Sequence, residues 1–101
     1  MSNGIARLGD KTFGTCSDSS HDTPIQVGGK IVTASGTSSI NNRGIARLGD
    51  TVKTDCEHEG KIITGSDNYY VDGRQTARLG DKIGNGPYDA KIVTAAGSEV
   101  N

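Results

Sequence analysis

The apolar positions of this chain fall in short runs rather than in stripes. Ile31-Val32, Ile62-Ile63 and Ile92-Val93 each follow a lysine and precede a threonine. These runs are β-branched and brief, no apolar residues recur at helical spacing, and 15 glycines interrupt the chain, so strands and turns are the predicted elements. Two segments read as tight hairpins. In Val71-Asp72-Gly73-Arg74-Gln75-Thr76 the Asp-Gly pair supplies the positive φ that a primed two-residue turn needs. Ile40-Asn41-Asn42-Arg43-Gly44-Ile45 has the same pattern with Asn-Asn, and asparagine tolerates the left-handed region better than most residues.

The pattern repeats. Ala6-Arg7-Leu8-Gly9-Asp10 recurs at residues 46–50 and again at 77–81. Each copy is followed by a second motif: Gly29-Lys30-Ile31-Val32-Thr33, then Gly60-Lys61-Ile62-Ile63-Thr64, then Ala90-Lys91-Ile92-Val93-Thr94. Every Gly-Asp marks a sharp bend leading into a variable loop. The first loop is the longest, with an insertion within 12–29. Ile40-Asn41 and Val71-Asp72 precede the second and third Ala-Arg runs, and Val100-Asn101 ends the chain in the same register. What begins at Met1 is therefore completed by the C-terminus. A linear solenoid needs polar caps, whereas a closed ring does not. The expectation is one all-β domain over 1–101, a small pseudo-threefold cone of three β-hairpin repeats (about 1–41, 42–72 and 73–101). The loops after each Gly-Asp converge at one end, and short open strand edges form the base.

Composition narrows this further. Hydrophobic residues are 32% and aromatics 4% of 101 residues, so the core is small and calls for a staple: a metal, a disulfide or a partner surface. The regular repeats argue against disorder. A net charge of −1 argues against nucleic-acid binding. No 18-residue apolar run is present, and the N-terminus lacks a basic segment followed by an apolar one, so synthesis in the cytoplasm without a signal peptide is expected.

The candidate chemistry lies in the loops. Cys16 and Cys56 each stand six residues after the aspartate of their repeat, His21 and His58 follow them, and the third loop has neither residue type. Two thiolates and two imidazoles meeting at an apex suit a structural zinc ion, ahead of iron, with Cys16, His21, Cys56 and His58 as ligands. A Cys16–Cys56 disulfide is the alternative. One of Asp18, Asp22, Asp55, Glu57 or Glu59 could also replace a nitrogen ligand, His21 being the less secure of the two. No catalytic constellation is found. Gly28-Gly29-Lys30 lacks the remaining residues of a phosphate loop, and a four-ligand ion leaves no open position for hydrolysis. A cysteine nucleophile would not explain why both cysteines hold equivalent places.

Three Ala-Arg-Leu-Gly-Asp motifs, each followed by a loop and a Gly-Lys-Ile-Val-Thr-like strand, resemble the PAAR-repeat proteins over nearly the whole chain. Proline is absent from the motif here, which begins Gly-Ile-Ala-Arg twice and Gln-Thr-Ala-Arg once. The best-known tip sites of that family use three histidines and one cysteine, so two of each is a variation. The resemblance implies a metal-bound cone that caps and sharpens a trimeric β-helical spike, VgrG-like or from a contractile phage tail. It implies that the cone leads membrane penetration and is exported by injection, as in type VI secretion. Secreted effectors would be further partners, carried on separate chains because no fused effector domain is expected. An adaptor that recruits toxin cargo, or a free-standing metal- or thiol-dependent effector, is the other reading.

Overall fold

The computed structural model of the protein describes residues 3–19, 21–40, 42–84, 86–95 and 99–100. Its strands are β1 (Asn3–Gly4), β2 (Lys11–Cys16), β3 (Ile25–Ile31), β4 (Ser39–Ile40), β5 (Arg43–Gly44), β6 (Thr51–Thr54), β7 (Glu59–Ile62), β8 (Tyr70–Val71), β9 (Arg74–Gln75), β10 (Lys82–Gly84), β11 (Tyr88–Ile92) and β12 (Glu99–Val100), with no helix among the described residues.

The strands form two tiers. The hairpins β2–β3, β6–β7 and β10–β11 close into a six-stranded antiparallel barrel in the order β10-β11-β2-β3-β6-β7. Three pairs of two-residue strands form the base, the hairpins β4–β5 and β8–β9 and the pair β1–β12. The last of these joins the two ends of the chain, Asn3 opposite Val100 and Gly4 opposite Glu99, as the repeat register predicts. Met1 and Asn101 lie outside the described residues. Where loops were expected after each Gly-Asp, the structure has barrel strands. The insertion in the first repeat lengthens a hairpin, with Lys11 to Cys16 paired residue by residue against Lys30 to Ile25. Thr12 and Cys16 face inward there while Lys11 and Phe13 face out, a period of two that threonines and glycines disguise in the sequence.

The turns follow from their residues. Asp10, Asp50 and Asp81 each donate their N–H back to the arginine carbonyl three residues before, at 2.9–3.0 Å. The intervening Gly9, Gly49 and Gly80 have φ of 85°, 88° and 88°, which the third position of a type II turn demands. Asp72 and Gly73, at 55° and 77°, make the primed turn between β8 and β9. Asn42, at 65°, takes the left-handed conformation expected of it, while Asn41 lies outside the described residues.

The repeated alanines meet on the axis. Ala46 donates to Ala6, Ala77 to Ala46 and Ala6 to Ala77, each N–H to C=O at 3.0 Å, so three backbones close a cyclic triangle. All three alanines are fully buried, so a larger side chain there would have to be accommodated within the packed interior. A collar surrounds this ring. Arg7, Arg47 and Arg78 each grip the aspartate three residues on with two side-chain contacts of 2.9–3.2 Å. The same carboxylates accept a threonine hydroxyl from the preceding repeat: Thr33 to Asp50, Thr64 to Asp81 and Thr94 to Asp10, at 2.9–3.0 Å. Each buried carboxylate is thus both ion-paired and hydrogen-bonded, the condition under which burying a charge is tolerated. Ile31, Val52, Ile62, Ile83, Ile92 and Tyr88 fill the barrel, and Ile5, Ile45 and Val71 make a smaller cluster in the base.

Candidate metal centre

The barrel hairpins start at the collar and turn at the opposite end, so their turns gather into a tip. There Cys16, His21, Cys56 and His58 each present one donor atom, and these atoms all lie within 4.8 Å of one another. Cys16 ends β2 fully buried. Beyond it the chain turns back, His21 N–H donating to the Asp18 carbonyl at 3.0 Å, which sets the His21 ring edge-on to His58 with centroids 5.1 Å apart. Cys56 and His58 flank Glu57, whose φ of 66° places it in the left-handed region. That conformation costs a non-glycine residue about 1–2 kcal/mol. Thr54 holds it in place: its N–H donates to the His58 carbonyl (2.8 Å), and its hydroxyl accepts from His58 N–H (2.9 Å) and sits 3.1 Å from Cys56 Sγ.

Several observations fit a cation here. His58 Nδ1 lies 3.2 Å from Cys16 Sγ and 3.3 Å from Cys56 Sγ. Bonds of about 2.3 Å to sulfur and 2.0–2.1 Å to nitrogen in a tetrahedron put those donors roughly 3.6 Å apart, so a small outward shift seats an ion. His58 turns its other nitrogen to Asp18, Nε2 to Oδ1 at 3.4 Å, the outer-shell arrangement that orients a ligating histidine. His21 Nε2 is buried with no hydrogen-bond partner, a cost that coordination would remove. The two thiols are poised differently. The Thr54 hydroxyl, with His58, His21 and Cys16 around it, lowers Cys56 from its ordinary 9.0 to about 6, whereas burial pushes Cys16 up.

The four residues singled out by the sequence are the four brought together. Both cysteines are free, so no disulfide joins them. Asp22, Asp55, Glu57 and Glu59 are not members of the cluster; of the acidic alternatives, Asp18 comes near, behind His58 rather than as a fifth donor. Sequence reasoning missed Thr54, Asp18's role and the part played by the third repeat. Asn85 lies outside the described residues. Tyr88, fully buried and opposite Cys16 in register, fills the space beneath the site, its hydroxyl 2.9 Å from Thr12 Oγ1 and 3.2 Å from the Val27 carbonyl. Pro87 accepts the Ser17 N–H at 2.9 Å and so braces the segment after Cys16. The signal for Tyr88 was its being the sole aromatic residue between the two motifs of its repeat.

The sequence model of the PAAR motif matches residues 21–94, well over half of the chain, spanning the second motif of the first repeat and both motifs of the other two. No curated protein matches the chain. With the matched motif, the small β pyramid and the Cys/His tip in hand, the chain belongs to the PAAR-motif family, the structural spike-tip proteins of contractile injection systems that associate with a spike such as VgrG.

Proposed function

We propose that this chain is the pointed cap of a trimeric β-helical spike, VgrG-like or from a phage tail, and that it leads the spike through a target membrane. The alanine triangle carries this reading. It places three near-equivalent units of one chain around a single axis, so each chain of a true trimer would meet a similar surface. Among the described residues β4, β8 and β12 each pair with a single strand, and their second edges, two residues long, are short enough to be safe when free and available for strand pairing with the spike end.

Zinc held by Cys16, His21, Cys56 and His58 completes the cap. Two thiolates and two imidazoles favour zinc over iron, and a filled four-coordinate site is structural rather than hydrolytic. The ion would tie the first two hairpins together where packing is thinnest. Elemental analysis of freshly purified protein should find one zinc per chain; a different metal, or none, refutes the assignment. Native mass spectrometry with a VgrG-like trimer should find one chain per trimer. Three chains per trimer, or no complex, refutes the cap.

A further inference from the structure

The lysines follow a pattern that neither the fold nor the tip explains. The sequence has six, and each of the six barrel strands carries one: Lys11, Lys30, Lys53, Lys61, Lys82 and Lys91. All six are exposed. Five stand at one level of the barrel, where Lys11 pairs with Lys30, Thr51 with Lys61 and Lys82 with Lys91. Lys53 lies one step nearer the tip, opposite Lys30 on one side and Glu59 on the other. Among the described residues no lysine is in an ion pair, whereas every arginine is engaged with an aspartate in the collar. Like charges directly opposite each other destabilise a sheet. Among the described residues, Glu59 stands opposite Lys53, but no ion pair offsets the Lys11–Lys30 and Lys82–Lys91 pairs.

Apolar side chains alternate with the lysines around the same level. Val93 N–H donates to the Lys11 carbonyl, Ile63 to Lys82 and Val32 to Thr51, and all three side chains are exposed. Each hairpin therefore presents lysine beside an aliphatic residue. The fullest of these units opens into a surface groove of about 390 Å³ whose lining includes Lys11, Phe13, Gly28, Lys30, Val93 and one acidic residue, Asp55. Phe13 and Val93 are each 49% exposed.

We infer that this belt is a binding surface for the phosphate headgroups of an anionic bilayer, lysines on the phosphates and Phe13, Val93, Ile63 and Val32 among the acyl chains. An acidic protein would be met by a patch on one side, but this belt runs right round the barrel, as a membrane surrounding a penetrating point would require. The interleaved apolar residues suit lipid, since lysine stems lie along apolar surface while their charges reach the headgroups. The inference rests on the reading of the chain as the leading point of a spike, and it supplies the chemistry of the surface that point enters.

Co-sedimentation of the metal-loaded protein with vesicles tests it. Vesicles of phosphatidylcholine and phosphatidylglycerol at 7:3 should bind the protein, pure phosphatidylcholine vesicles should not, and added salt should release it. Each lysine near an anionic surface contributes about 1 kcal/mol, roughly fivefold. The combined variant Lys11→Gln, Lys30→Gln, Lys82→Gln, Lys91→Gln should therefore bind at least tenfold more weakly, and the corresponding arginine variant should bind as before. The glutamine variant should melt no lower than the original, since it removes like-charge pairs. Equal binding to both vesicle types, full binding by the glutamine variant, or no binding to anionic vesicles overturns the inference; in the last case an acidic protein becomes the partner to seek. Spike capture is read in a separate complex, so loss of vesicle binding does not touch the cap, and loss of the trimer complex does not alter the vesicle result.

Discussion

The collar and the tip of this molecule solve the same problem, tying three hairpins together, by opposite means. The collar does it three times over. Each aspartate takes its own arginine and a threonine from the preceding repeat, and Thr94 closes the circuit on Asp10. The tip does it once and unevenly: two repeats bring a cysteine and a histidine each, and the third brings Tyr88 and Pro87 as packing and bracing. The difference is one of valence. A ring of hydrogen bonds can have threefold symmetry, but four protein donors cannot be divided equally among three repeats. Symmetry is kept where a trimeric spike would be met and given up where four donors are needed.

The largest effect expected is on the tip. Removing the metal with a chelator should lower the melting temperature by about 15 °C or more, taking 4–8 °C per kcal/mol for a chain of this size. Hydrogen exchange should then lose protection over 16–25 and 54–59 before the collar. Uniform loss would show that the two regions are not separable. Next, Ala46→Leu should break the triangle from the inside. Overpacking there should cost about 2–3 kcal/mol, measured by urea unfolding, with the metal site still loaded. A neutral result would mean the axis has unused volume.

Thr64→Val should cost about 1–2 kcal/mol, because it strips the Asp81 carboxylate of a donor and the Lys82 N–H of its acceptor. Thr33→Val should match it, and a large gap between the two would deny the collar its symmetry. The smallest effect is one of pH on metal-free protein. Cys56 is lowered to about 6 from 9.0, so its contribution to stability is present in full above pH 9 and is lost as pH falls through 6. Melting temperature should decline by a few degrees over that interval. Cys16 is shifted the other way, and its contribution is lost only on the alkaline side of pH 9. Cys56→Ser should flatten the profile; an unchanged slope would place the titrating group elsewhere.

Much of this was legible in one dimension because the deciding interactions are local or repeated. Gly9, Gly49 and Gly80 declare their turns, since a positive φ there is costly for any other residue. Asp72-Gly73 declares a hairpin for the same reason. The register of Val100 with Ile40 and Val71 declares that the ends meet. The two cysteines at equivalent places, with a histidine after each, declare a shared site. Barrel closure was not legible. The strands after each Gly-Asp are short, rich in threonine and glycine, and apolar at only some inward positions, so their alternation is too faint to separate them from loops.

The sequence by itself therefore determined the repeat, its turns, the joining of its ends and the four side chains at the tip. Those features follow from backbone conformations and residue chemistry carried within a few neighbouring positions. Only the tertiary structure decided that six strands close on themselves, that the alanines hydrogen-bond in a circle, that Thr33, Thr64 and Thr94 serve the aspartates of the following repeat, and that six scattered lysines form one belt. Each of these depends on which distant strands become neighbours, and that is settled by the packing of the whole barrel around Ile31, Val52, Ile62, Ile83, Tyr88 and Ile92.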